Sequence, residues 1–293
     1  MKAMTEPTTH TLDVPGAVLT YDVRSGGASN EPPLMLIGSP MGAAGFKTLA
    51  SHFADRTAIT YDPRGVERSH KADPTSESTP DQHADDLHRV IADLRAGPVD
   101  LFASSGGAVN ALALVSKHPE DVRILVAHEP PAFKLLPDGP SAIAANRDIH
   151  ETYQESGFGP AMAKFIALVM QKGEIPADYT SRPAPNPQMF GLPTQDDGKR
   201  DDPLVGQNIV TCASYQFDFH ALREASTRIV IAVGEESDGE LAHRAAVAVA
   251  KRLQTDPIKF PSNHAGFLGG EYGQHGKPDE FAAKLREVLA SGD

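Results

Sequence analysis

The apolar positions of the chain fall into two periods that take turns along its length. Short runs such as Pro33–Ile37, Thr57–Tyr61, Val99–Ala103, Val122–Ala127, Arg228–Val233 and Pro257–Phe260 are near-continuously apolar. Runs of this length bounded by turn residues predict strands buried on both faces. Between them lie segments with apolar residues three and four apart. Ala84, Leu87, Ile91 and Leu94 form such a stripe, and Phe281, Leu285, Val288 and Leu289 form another. These predict amphipathic helices over Phe46–Phe53, from Thr79-Pro80-Asp81-Gln82 onward, and over Gly107–Lys117, Glu240–Leu253 and Pro278–Leu289. Thr79 is placed to cap its helix, Pro80 suits the first turn, and Gln82 completes a capping box. Ala17–Val23 reads as an early strand, with Thr9–Val14 as its candidate partner.

Strands alternating with helices predict crossover units and a mostly parallel sheet. Residues 133–225 break the rhythm. Ser141–Gln154 and Pro160–Gln171 read as helices, whereas 174–203 is rich in Pro, Asp and Gly and reads as a long loop. The chain then returns to strand and helix. The expected organisation is therefore one core domain, residues 1–132 and 226–293, interrupted by a cap at 133–225.

Composition narrows the partners. The formal charge of −12 and the absence of a Lys/Arg stripe argue against nucleic acid. Cys212 is the only cysteine, so an intramolecular disulfide is impossible. The opening MKAMTEPTTH has no apolar secretion core and no run is long enough to span a membrane, so a cytoplasmic protein, monomer or homodimer, is expected. No His or Asp cluster has metal-ligand spacing along the sequence, and no Gly-rich loop fits a phosphate, so neither metal nor cofactor is expected.

The chemistry concentrates at the strand-to-helix junction Ala103-Ser104-Ser105-Gly106-Gly107. A strand entering a helix through so tight a turn needs small residues on both sides. The pattern small-x-Ser-x-small matches a nucleophile elbow with Ala103 in place of the first glycine, and it puts Ser105 at the tip. The Gly106 N–H then faces a developing oxyanion. A second donor is expected from Gly38-Ser39-Pro40-Met41-Gly42. Pro40 has no N–H, which leaves Ser39 first and Met41 second. A serine needs a base and a group to orient it. The order Ser, acid, His points to His264, in the loop after the last strand, over His275. For the acid, Gly234-Glu235-Glu236-Ser237 carries serine where a carboxylate is expected. Asp238 lies one position late. Glu129, at the carboxyl end of the strand next to the nucleophile strand, is preferred over Asp238. Asp62, Arg64, Gly65 and Arg68 in DPRGVERS read as a bracing loop, and His128 as a packing residue.

GSPMG, YDPRGVERS, ASSGG, HEPP, GEES and SNHAG before PDEFAAKL resemble an α/β-hydrolase of the serine-nucleophile branch. The stretch ASSGGAVNALALVSKHPEDVRILVAHEPP is similar to the fungal zearalenone lactone hydrolases. The resemblance implies a mostly parallel eight-stranded sheet with helices on both faces and an inserted, mainly helical cap. It also implies Ser105 as nucleophile, His264 as base and Glu129 as acid, acting on a small ester or lactone. Met41, Phe133, Leu135, Met189 and Phe190 are the candidate apolar pocket. A cofactor-free perhydrolase with the same triad is one rival reading, and a ligand-binding sensor on this fold is another.

Overall fold

A computed structural model describes residues 6–27 and 30–291. Its strands are β1 (Thr8–Val14), β2 (Ala17–Arg24), β3 (Leu34–Ile37), β4 (Ala58–Asp62), β5 (His70–Lys71), β6 (Val99–Ser104), β7 (Val122–His128), β8 (Arg228–Gly234) and β9 (Ile258–Phe260). Its α-helices are α1 (Lys47–Ser51), α2 (Pro80–Leu94), α3 (Gly106–Lys117), α4 (Gly139–Ser156), α5 (Phe158–Val169), α6 (Ile209–Thr211), α7 (Phe219–Glu224), α8 (Leu241–Leu253) and α9 (Pro278–Ala290).

One sheet runs β1-β2-β4-β3-β6-β7-β8-β9. β2 pairs antiparallel with β1 and β4, and every pair from β4 through β9 along this path is parallel. The expected eight strands form this path, and β5 adds a ninth of two residues, antiparallel to β2. Two residues are too few to produce a period, so nothing in the sequence signals β5.

The continuous apolar strands have a direct cause. Successive side chains point to opposite faces, and both faces are covered. Met35, Ile37, Leu101, Ala103, Leu125, Ala127, Ile231 and Val233 pack with α2, α3, α7 and α8 in one core. Leu34, Leu36, Phe102, Ile124, Val126, Val230 and Ala232 pack with α1 and α9 in the other. The Thr79–Gln82 capping box is formed reciprocally. The expected Phe46–Phe53 helix is instead a 3-10 turn, Ala43–Phe46, followed by the five residues of α1. The Asp62 carboxylate accepts the Ala43 N–H at 2.7 Å and fixes that turn.

The segment between β7 and β8 carries α4 and α5, then a stretch with short 3-10 turns at Tyr179–Ser181 and Pro187–Phe190, then a π-helical turn at Leu204–Asn208 followed by α6 and α7. Its core joins Phe133, Ala142, Ile149, Tyr153, Ala161 and Leu168 to Leu241 and Ala245 of α8.

Leu285 on α9 is fully buried, while Lys284 beside it turns outward towards Glu287. Leu285→Ala is expected to cost about 2–5 kcal/mol and Lys284→Ala about 0.5 kcal/mol or less, measured as urea-midpoint shifts.

Candidate active site

Three loops at the carboxyl ends of parallel strands of the sheet each contain a non-glycine residue with positive φ. They are Ser105 after β6 (φ 57°), Glu129 after β7 (φ 47°) and Ser262 after β9 (φ 70°). Non-glycine residues pay about 1–3 kcal/mol for such a backbone, so the surroundings must enforce it. They do so by hydrogen bonds across the loops. The Ser105 N–H donates to His128 O at 2.9 Å, and the Glu129 N–H to Ala232 O at 3.0 Å. The Glu235 and Glu236 N–H groups donate to Phe260 O and Ser262 O, each at 2.9 Å.

The small residues of the elbow are required by contact. A Cβ on Gly107 would lie 2.7 Å from the Cα of Gly38, and one on Gly106 would lie 2.5 Å from Ser39 O. The elbow and the GSPMG loop therefore touch backbone to backbone. Among the described residues, no hydrogen bond is donated by the N–H of Ser39 or of Gly106. Both groups remain available to an incoming anion. The Ser39 hydroxyl accepts from Asn208 Nδ2 at 2.9 Å, which ties this loop to the segment between β7 and β8.

Glu129 is fully buried. Its Oε2 accepts from His264 Nδ1 at 2.6 Å. Its Oε1 accepts from the Gly234 N–H at 2.9 Å and from the Ser237 hydroxyl. Burial alone would raise this carboxyl, but the His264 hydrogen bond, the neighbouring His128 and His264 rings and the Ser237 donor outweigh it and lower it to about 2. Burial acts on His264 in the opposite sense and would lower it. The Glu129 hydrogen bond and charge, with Glu240 adding to them, raise it above the usual histidine value. An ionised carboxylate only accepts, so Nδ1 carries the proton and Nε2 of the neutral ring keeps a lone pair. Among the described residues no hydrogen bond joins Ser105 Oγ to His264. In resting hydrolytic sites such contacts are often long and tighten with substrate.

Asp238 is not brought to the imidazole. Its side chain is 90% exposed and lies 3.5 Å from His243 Nε2. Ser237, at the seat where a carboxylate was expected, is buried and supplies a donor to Glu129 instead. His243 on α8 stands 3.7 Å from Glu129 Oε1. The roles of Ser237, His243 and Asn208 were not legible, because each acts through a partner far away in the chain. His275 lies in the Gly-rich loop, bridged to Gly269.

His128 is fully buried beside Phe102, Phe260, Phe267 and Phe281, and its Nδ1 meets Ser104 Oγ at 3.2 Å. Burial lowers it to about 4, so it is neutral and serves as packing. The DPRGVERS loop is held by ion pairs. Arg68 bridges Asp62 and Asp22, and Arg64 forks onto Asp86. Of the expected pocket residues, Met41 lies against Gly38 and Gly45 in the GSPMG region. Phe133 is buried in the third core and Leu135 packs on the first. Phe190 is half-buried. Met189 is 78% exposed and projects into solvent.

The profile of the alpha/beta hydrolase fold family matches residues 32–181. An uncharacterized hydrolase, YraK, of Bacillus subtilis is 31% identical over 285 residues, 95% of either chain. The 2-(acetamidomethylene)succinate hydrolase of Mesorhizobium japonicum is 27% identical over 250 residues, 81% of either chain. A thermophilic esterase from Thermogutta terrifontis, solved with malate bound, superimposes with a TM-score of 0.68 at 19% identity over 98% of both chains. Among the described residues no helix is long and apolar enough to cross a membrane.

The lowered Glu129 carboxyl has a consequence for stability. Its contribution is present above the ordinary glutamate value of 4.5 and is lost as pH falls towards 2. Between pH 5 and pH 2 the wild type is expected to lose about 3 kcal/mol more unfolding free energy than Glu129→Gln. Urea titrations at each pH measure the difference.

Proposed function

The chain belongs to the α/β hydrolase fold family, and on that premise we propose that it is a serine hydrolase of carboxylic esters, lactones included, working through an acyl-enzyme. The observation that carries the reading is the buried Glu129 carboxylate, bonded through Oε2 to His264 Nδ1 at 2.6 Å. A carboxylate so placed holds the imidazole in the tautomer that leaves Nε2 free to accept a proton.

In this reading Ser105 Oγ attacks the ester carbonyl carbon and its proton passes to His264 Nε2. The carbonyl oxygen becomes an oxyanion, received by the free N–H groups of Ser39 and Gly106. Collapse expels the alkoxide, which takes the proton from His264, and leaves an acyl group on Ser105. Water then attacks the acyl carbon while His264 accepts its proton and returns it to Ser105 Oγ. Glu129 stays ionised and stabilises the imidazolium in both halves. Residues 133–225 serve as the cap over the acyl group, with Asn208 steadying the Ser39 loop and Met41 lining the entrance. Support for the cap comes from its own core, which is continuous with α8.

A fluorophosphonate probe is expected to label the wild type at Ser105 and to leave Ser105→Ala unlabelled. A sensor without a reactive serine leaves the probe untouched in both. With p-nitrophenyl esters and macrolactones, Glu129→Gln is expected to lower kcat by about two to four powers of ten, while Asp238→Asn stays within about twofold of wild type. Equal loss in both variants rejects Glu129 as the acid.

The general base must be neutral. Since His264 is raised above 6.5, kcat/KM is expected to rise with pH through an apparent value above that number. In Glu129→Gln the same limb moves to lower pH, because burial is then opposed by Glu240 alone. A limb that stays in place in the variant rejects the pairing.

A further inference from the structure

At the opposite end of β7 from Glu129, a second group of chemistry-bearing side chains comes together that the ester chemistry does not use. β7 runs from Val122 to His128, so the two ends lie about 20 Å apart at roughly 3.3 Å per residue. His88 projects from the middle of α2, His118 ends α3, and Asp121 closes the Pro119–Asp121 turn that leads into β7. One ligand atom from each, two imidazole nitrogens and a carboxylate oxygen, lie within 4.8 Å of one another. His88 Nδ1 and Asp121 Oδ2 are already 2.7 Å apart, although 33 positions separate them in the chain. Glu120 brings a further carboxylate to within 3.3 Å of His118 Nδ1. No spacing rule along the sequence finds this group, because folding alone assembles it.

We propose that His88, His118 and Asp121 form a binding site for a divalent transition metal, with Zn²⁺ the best-fitting ion and Glu120 or water completing the coordination. Two imidazoles and a carboxylate are the donor set that Zn²⁺, Co²⁺, Ni²⁺ and Cu²⁺ favour over Mg²⁺ and Ca²⁺, which prefer all-oxygen shells. The side chains have room to adjust. His88 and His118 are 37% and 29% exposed, while Asp121 is held at 13%. The two rings lie face to face with centres 3.8 Å apart. A shared ion needs a nitrogen of each ring in line at about 2.0–2.1 Å. His118, at the end of its helix, therefore turns about its side-chain bonds until its nitrogen meets the Asp121–His88 edge. The ion replaces the proton now shared between His88 Nδ1 and Asp121. It links α2 to the turn between α3 and β7, so its effect is on the stability of that corner and not on ester turnover.

The test is a titration of the whole purified protein with ZnCl₂ by calorimetry, with MgCl₂ as the oxygen-preferring control. Circular dichroism checks that each variant is folded. Wild type is expected to take up one Zn²⁺ per chain at micromolar concentration, with a rise in Tm and no response to Mg²⁺. His118→Asn and His88→Asn, each kept polar to preserve folding, are expected to weaken Zn²⁺ binding by at least about tenfold and to abolish the Tm rise, with Ser105 labelling unchanged. The Co²⁺ form is expected to show a visible ligand-field spectrum that either variant loses. Absence of stoichiometric Zn²⁺ binding overturns the proposal. So does Zn²⁺ binding that survives in both folded variants, which would put the ion elsewhere.

Discussion

The hydrogen bond between the buried carboxylate of Glu129 and Nδ1 of His264 is the constraint around which the site is organised. A carboxylate without solvent is unstable as an anion unless its lone pairs are occupied. Here a backbone N–H, a hydroxyl and an imidazole occupy them. Those donors come from the last residue of β8 and from the loops after β8 and β9, so the charge is stabilised only when both loops are in place. The same charge fixes the tautomer of the ring. Structure and chemistry thus draw on one interaction, and the left-handed backbone at Glu129 is tolerated because that interaction and the bond to Ala232 O hold it.

A second constraint is steric. α3 begins directly against the loop after β3, at distances that leave no volume for a Cβ on Gly106 or Gly107. This closeness sets the Gly106 N–H beside the Ser39 loop and turns Ser105 outward at the helix start. The DPRGVERS loop supports the same edge from below, since Asp62 both caps the turn after GSPMG and receives Arg68. The bracing is ionic, with Asp62, Arg64 and Asp86 buried and Arg68 partly exposed, so its value lies in holding one geometry, while removing the partner of a buried member strands a charge.

Much of this was legible in the chain because the sheet is covered on both faces. That burial makes Val99–Ala103 and Val122–Ala127 read as unbroken apolar runs, and the two-sided packing makes the helices between them amphipathic. Thr79 and Gln82 form the capping box their spacing announces. The tight strand-to-helix junction was legible because close packing against the Ser39 loop demands glycine at 106 and 107. The hidden parts depend on contacts between distant positions. Ser237 stands at the expected seat of a carboxylate, and only the fold shows its hydroxyl turned onto Glu129. Asp238 shared the right neighbourhood in sequence yet faces solvent, 90% exposed in the loop between β8 and α8, where it lies beside His243. Met189 is 78% exposed, because local apolarity in a Pro-rich stretch says nothing about what lies behind it. The His88–His118–Asp121 group is the clearest case, since its members have no common period and meet only where α2 passes the turn into β7.

The central claim is that a proton on His264 Nδ1 is shared with an ionised, buried Glu129. Proton NMR of the folded protein in water reads it most directly, as a far-downfield imidazole N–H resonance protected from exchange. The account predicts that this resonance is present in the wild type, persists in Ser105→Ala and Asp238→Asn, and vanishes in Glu129→Gln. A resonance that survives the loss of the Glu129 carboxylate, or disappears with Asp238, would contradict it.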